Sequence, residues 1–463
     1  MQPIHRVTPS AARYARYLLR AATLIGLFLF ALAIPTVVSA DPGDVGFQGP
    51  SGTGAGASPT GSKPESKLWF NDGSWWASFW DTGTSDYYIW KLDRTTETWS
   101  RTGTRLDDRN STRADILWDG SKLYVASHNF SESDGSGESR LYRYSYNAST
   151  DVYTLDAGFP ATINTVRSET LVIAKDSTGK LWATWEQGGR IWVNRTTSGD
   201  ATWGTPFMMP AASPVDGDDV STILAFGSKI GVFWSNQSLE EDFFAIHDDA
   251  AADLTWATPE VAYSGNNVAD DHMNLKTDSS GRVFCVVKTS LTGTNPLVVF
   301  LVRTTGGSWS SHTVGLGTQD PTRPIMVVDE ANDLFRVYMT EPTGGGAIYE
   351  KTSSRGAISF PGGLGTLVMS DANLTLSAFQ KHIFDRYEKP DRARGTPGTW
   401  LHFSEEVGEL ARALARNDDR ANLEEEFADV LAWLCTLANI NDVDLTSAVT
   451  KKYLSAKAPK GHK

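Results

Sequence analysis

The sequence predicts a multi-domain chain, an all-β propeller of about six blades over residues 67–376 followed by an all-α domain over residues 377–463. Short runs rich in Trp, Tyr, Phe, Val and Ile, separated by Gly, Asp, Asn and Ser turns, fill the first region without any long helical period. Within it the aromatics Trp99, Tyr153, Trp203, Trp256 and Trp309 recur roughly every 50 residues, about the length of a four-stranded blade. From Phe379 onward the composition turns to helix formers and charge.

Residues 1–40 read as a signal peptide. Arg6, Arg13, Arg16 and Arg20 give a positive start, Ala21 to Ile34 is an unbroken apolar run, and Val38-Ser39-Ala40 offers small residues for cleavage. An exported or secreted protein is expected, with an uncleaved membrane anchor as the alternative. Residues 41–66 carry Gly, Ser, Pro and Thr with almost no apolar content, and predict a flexible linker, since so little burial cannot offset the entropy of ordering.

Through the propeller region a polar turn runs in phase with the aromatic marker and leads into a strand. Clear copies are Asp119-Gly120-Ser121-Lys122-Leu123-Tyr124, Asp176-Ser177-Thr178-Gly179-Lys180-Leu181-Trp182 and Asp278-Ser279-Ser280-Gly281-Arg282-Val283-Phe284. With Ser198-Gly199-Asp200-Ala201-Thr202-Trp203, this resembles sialidase-type propellers with degenerate Asp-box turns. In that family the boxes are structural. The arginine cluster, Tyr–Glu pair and acid/base Asp of a sialidase cannot be assembled, and Arg323-Pro324-Ile325 is out of order for its Arg-Ile-Pro element. Asp270-Asp271-His272 is the one tempting acidic/histidine cluster, and a turn with solvated charges accounts for it more simply than a metal site. The region is therefore expected to be a binding or scaffold module, with a glycan or a protein as its ligand.

Asn110, Asn129, Asn147, Asn194, Asn236 and Asn373 each open an Asn-x-Ser/Thr sequon. The two cysteines, Cys285 and Cys435, fall in different domains, so no disulfide framework exists. A net charge of −13 argues against nucleic acid as a partner, because an acidic surface repels phosphate.

In the all-α domain, Phe379, Ile383, Phe384 and Tyr387 trace a helix expected to stop before Pro390. Phe403, Val407, Leu410 and Leu414 then recur at helical spacing, and after Asn417 to Arg420 the pattern resumes with Leu423, Phe427, Val430, Leu434 and Leu437. Glu406 and Glu409, like Glu426 and Asp429, are spaced i, i+3 on one flank of these stripes. In an antiparallel hairpin the four carboxylates could meet at the edge of a dry core, where mutual repulsion favours a hard divalent cation. Solvated faces of ordinary surface helices are the competing reading.

Glu405-Glu406-Val407-Gly408-Glu409-Leu410 followed by Glu424-Glu425-Glu426-Phe427-Ala428-Asp429-Val430-Leu431 resembles the MazG-like all-α nucleoside triphosphate pyrophosphohydrolases. The resemblance covers about the last 85 residues. It implies Mg²⁺ held by Glu406, Glu409, Glu426 and Asp429, and Glu405 as a water-orienting base or outer group. The reaction implied is cleavage of a nucleoside triphosphate, or a related pyrophosphate, to monophosphate and pyrophosphate. Lys452, in a last helix with Leu445, Val449 and Tyr453, is the expected phosphate contact, or else belongs to a solvated helix end. Trp433 is placed to stack on a base, or equally to fill the core. A homo-oligomer through this domain is expected, because so short a helical unit offers little interior of its own.

An export signal and a nucleotide enzyme disagree about location. Three accounts stay open from sequence: an exported enzyme, a non-enzymatic helical passenger on a secreted carbohydrate- or protein-binding propeller, or an artificial join of two genes.

Overall fold

The computed structural model describes residues 49–60, 63–95, 98–341, 347–369, 376–416 and 420–454. The signal peptide reading at 1–40, and the sequon at Asn373, lie outside these residues. Two compact units divide the chain, residues 1–369 and 370–463.

The first unit is a propeller of six antiparallel sheets. Their innermost strands are Leu68–Asn71, Thr112–Trp118, Val172–Lys175, Ser221–Phe226, Met273–Thr277 and Thr322–Asp329, and each sheet is assembled from strands consecutive in the chain. The second strands are almost continuously apolar because both faces are covered: Lys229–Asn236 of blade four reads KIGVFWSN and is buried throughout except at its first residue.

The recurring aromatics are what join the blades. Tyr153 of blade two meets Trp69 and Trp76 of blade one edge-on at 5.7 and 5.1 Å. Trp256 of blade four sits edge-on to Trp182 of blade three at 5.9 Å, and Trp309 of blade five likewise meets Phe244 of blade four at 5.6 Å. Trp203 packs against the cluster around Tyr124 and Leu141 of blade two. A sixth marker, Phe360, packs on Phe300 of blade five at 5.4 Å; it falls in phase with the others but escapes a search for Trp. Trp99 of blade one, with no earlier blade in the chain, lies instead on Phe79 of its own sheet at 5.0 Å.

The polar turns are built on one aspartate. Asp176 Oδ1 accepts from the Thr178 and Lys180 amides, both at 2.9 Å, and from the Thr178 hydroxyl, while Oδ2 accepts from Trp182 Nε1 at 2.8 Å. Gly179 takes φ 90°, which a side chain would resist. Asp278 repeats the pattern with Ser280 and Arg282. In the copy at 198–203, Asp200 instead reaches across to blade two, accepting from Tyr124 Oη and Arg143 Nη1 at 2.8 and 2.9 Å.

Three expectations change here. The described residues of the expected flexible linker are held against the propeller. Thr53 O accepts from Trp80 Nε1 at 3.0 Å, the Gly56 amide donates to Asn110 O at 2.7 Å, and the Ser66 amide donates to Asp115 Oδ1 at 2.7 Å. Backbone hydrogen bonds and buried charges replace the apolar contacts that composition could not supply. Glu65 is fully buried against His128 Nε2 at 2.5 Å. Burial opposes its ionisation, yet the Lys67 ammonium, the His128 ring and the Leu171 amide together hold its carboxyl below the usual carboxylate range. Two sequons are interior: Asn194 and Asn236 are fully buried and donate to Ile163 O and Pro214 O, so they serve the fold and cannot accept a glycan in it. The Asp270-Asp271-His272 charges are largely buried rather than solvated.

The second unit contains helix α1 (Leu376–Arg416), helix α2 (Arg420–Ile440), the short helix α3 (Leu445–Val449) and a π turn at Thr450–Leu454. The first helix passes through Pro390 and breaks at Gly395 (φ 73°, ψ 171°), with Pro397 in the opening turn of its second half, where a missing amide costs little. Gln380 ties the unit together. It exchanges hydrogen bonds with Asn439, donates to Val443 O, and accepts from the Leu445 amide at 2.9 Å. Asp444 caps α3 by accepting from the Ser447 amide at 2.8 Å. Among the described residues no helix is long and apolar enough to cross a membrane.

Because Asp176 satisfies two amides, a hydroxyl and a buried indole at once, Asp176→Ala is expected to destabilise the propeller by about 2–3 kcal/mol, with Asp176→Asn costing less. Denaturant unfolding of the two variants checks this.

Candidate functional site

The predicted apolar stripes are only partly covered: Phe403, Leu410, Leu423, Val430 and Leu437 are half-buried. Val407, Leu414, Phe427 and Leu434 are exposed, whereas Ala413, Cys435 and Ala438 are buried, and Glu406, Glu409 and Glu426 are half-buried. The small residues let the two helices approach closely, and the acidic flank turns inward.

One oxygen each from Glu406, Glu409 and Glu426 lie within 4.8 Å of one another. Asp429 stands outside that trio yet close enough for its charge to act on both Glu406 and Glu426. Partial desolvation, then repulsion from Asp429, Glu409 and Glu405, raises the Glu406 carboxyl above its ordinary value, although Trp433 Nε1 donates to its Oε1 at 3.1 Å. Partial desolvation and the charges of Glu409, Glu406 and Asp429 raise Glu426 likewise. Glu426 Oε2 is shielded from solvent and has no hydrogen-bond partner among the described residues. Hard oxygens that repel one another, one of them unpaired, suit a divalent cation.

Glu405 is not in the cluster; its side chain is mostly exposed and lies 3.7 Å from His402 Nδ1. Lys452 is exposed, with its ammonium over Tyr453. Trp433 reaches the cluster through Glu406, but its ring is already engaged, stacked with His402 at 4.8 Å and 20° and approached by the Arg394 guanidinium at 5.1 Å. A base stacking there would share or displace one of them. Trp433 also lines a cavity of about 360 Å³ with Ile383, Tyr387, Asp391, Arg394 and Thr436. Arg394, and Arg412 at 3.7 Å from Glu409, escaped the sequence reading. Only the spacing of Arg412 from Glu409, i, i+3, signalled either of them.

Residues 398–461 match the MazG nucleotide pyrophosphohydrolase domain. The stretch takes in all four carboxylates, while the cavity residues Ile383 to Arg394 precede it. No curated protein matches the chain. Among solved structures, the chain is similar to a Trypanosoma rangeli sialidase (13% identity, 61% of this chain and 53% of that one, TM-score 0.39). It is likewise similar to a periplasmic gluconolactonase of Pseudomonas aeruginosa (12%, 62% and 81%, TM-score 0.43) and an α-L-arabinanase of Penicillium chrysogenum (9%, 68% and 98%, TM-score 0.42).

A carboxyl whose pKa is higher in the folded than in the unfolded chain holds its proton more tightly when folded. Its contribution therefore favours the fold at acid pH and is lost as pH rises through the raised value. Without divalent metal, the thermal midpoint of the MazG domain should fall as pH rises above the ordinary glutamate value of 4.5. Glu426→Gln should flatten that fall, as followed by helical circular dichroism.

Proposed function

We propose that the MazG domain hydrolyses a nucleoside triphosphate to monophosphate and pyrophosphate, with Mg²⁺ held by Glu406, Glu409, Glu426 and Asp429. The observation that carries this reading is the convergence of three glutamate oxygens from two helices within the matched stretch. Bound there, Mg²⁺ would neutralise triphosphate charge and sharpen the electrophilicity of the phosphorus under attack.

The protein's own groups supply the rest. Trp433 Nε1 fixes the Glu406 carboxylate, and the half-buried seam limits how far the other glutamates can turn away. The neighbouring cavity, walled by Trp433 and Arg394, offers an aromatic face and a guanidinium to a nucleoside. Arg412 stands beside Glu409 as a nearby cation for phosphate, a role better placed than that of Lys452. Glu405, exposed to solvent beside His402, is the carboxylate proposed to orient water.

The exposed Leu401, Leu414, Phe427 and Leu434 support a further part of the proposal, that two helical domains pair through these faces. The export reading of residues 1–40 stands as a proposal too, and detection of the mature chain outside the cytoplasm would test it.

Full-length protein should release pyrophosphate from a nucleoside triphosphate only with divalent metal. Glu409→Gln and Asp429→Asn should each lower turnover by about a hundredfold or more. A folded protein with no turnover on any of the common nucleoside triphosphates would sink the enzyme reading. Phe427→Glu should shift the protein to monomer in analytical ultracentrifugation without unfolding it.

A further inference from the structure

Four acidic or basic residues distant in sequence meet where the chain enters the propeller's innermost strands. Glu169 immediately precedes that of blade three, Asp218 that of blade four and Asp271 that of blade five. One oxygen from each lies within 4.8 Å of the others. Lys63, from the segment before blade one, places its ammonium 2.7 Å from Glu169 Oε1 and in contact with Asp271 Oδ2. A single ammonium thus pairs with two of the three clustered carboxylates, and no salt bridge to Asp218 is formed among the described residues.

Two further observations point to a second cation. Glu169 is nine-tenths buried, yet its Oε2 has no hydrogen-bond partner among the described residues. A carboxylate oxygen withdrawn from water and left unpaired is costly unless something positive meets it. Asp271 is held in place from behind: His272 Nδ1 lies 2.6 Å from its Oδ1 and 2.7 Å from Asp270 Oδ1, and Asp270 is anchored by Lys288 Nζ at 2.6 Å. A carboxylate oriented through a histidine and a further acid is the kind of support that fixes metal ligands.

We propose that Glu169, Asp218 and Asp271 form a calcium-class divalent cation site at this entrance, with the Lys63 ammonium as its built-in competitor. The three donors are hard carboxylate oxygens with no thiolate among them, and His272 Nδ1 is turned to its own acids, which favours a hard cation. Oxygens on one Ca²⁺ at about 2.4 Å can be no more than about 5 Å apart, so the observed spacing suits a shared ion. Asp218 is exposed and opens the site to solvent, from which water completes the coordination. Because Lys63 belongs to the segment leading into blade one, cation binding and the seating of that segment are coupled.

The test is calorimetric titration of Ca²⁺ into the full chain carrying Glu406→Gln, Glu409→Gln and Glu426→Gln, so that the helical cluster does not contribute. One saturable site is expected. Glu169→Gln and the exposed Asp218→Asn should each weaken it by about tenfold or more, and Lys63→Met should tighten it by about tenfold. Binding that appears only after Lys63→Met also supports the site, with the ammonium winning in the parent. Absence of binding in the folded Lys63→Met protein overturns the proposal. So does binding that neither Glu169→Gln nor Asp218→Asn alters.

Discussion

The propeller depends on one repeated contact, an aromatic ring from the outer part of a blade laid against the blade before it. Sheets this apolar on both faces cannot stand alone in water, and blades two to six are each joined to the blade before by such a wedge. The ion pairs follow the same logic. Arg303 of blade five is bidentate to Glu260 of blade four, and that carboxylate also accepts from Trp309 Nε1, so a single acid fixes both the charge and the wedge. Asp253 of blade four serves Lys180 and Arg195 of blade three in the same way.

In the helical unit the governing constraint is the reverse, a shortage of apolar burial. Its two long helices fully bury Ala413, Cys435 and Ala438 but leave Leu414, Phe427 and Leu434 exposed, with Leu410, Leu423 and Leu437 only half-buried. That arrangement gives up stability and keeps mutually repelling carboxylates close together, a repulsion that protonation relieves and that the proposed cation would relieve as well.

What was legible in the sequence follows from whether a signal was local. The Asp–Gly turns could be read because the partners that shape them lie within six residues of Asp176 or Asp278, whereas the Arg355 guanidinium that also reaches Asp278 comes from far along the chain. The paired carboxylates could be read because i, i+3 spacing is a local fact. Helical periodicity was a weaker guide. It identified α1 and α2 but put Phe427 and Leu434 on the wrong face, because apolar side chains at helical spacing mark a face that wants burial without saying against what. Pro390 looked like a stop, yet the break falls at Gly395, whose positive φ ends a helix more firmly than a proline one turn earlier. The linker was misread because Thr53, Gly56 and Ser66 are held by backbone hydrogen bonds, which composition does not show. Glu169, Asp218 and Lys63 belong together only in three dimensions.

All six sheets use consecutive strands, so among the described residues the first and last blades share no hydrogen-bonded ladder. The innermost strands at these two ends also keep apolar side chains in view, Leu68 and Phe70 on one and Ile325 and Val327 on the other. Mechanically this is a split washer rather than a welded hoop. Among the described residues no ladder has to break for these ends to part, so strain entering the propeller meets a seam there, while each hydrogen-bonded blade stays whole.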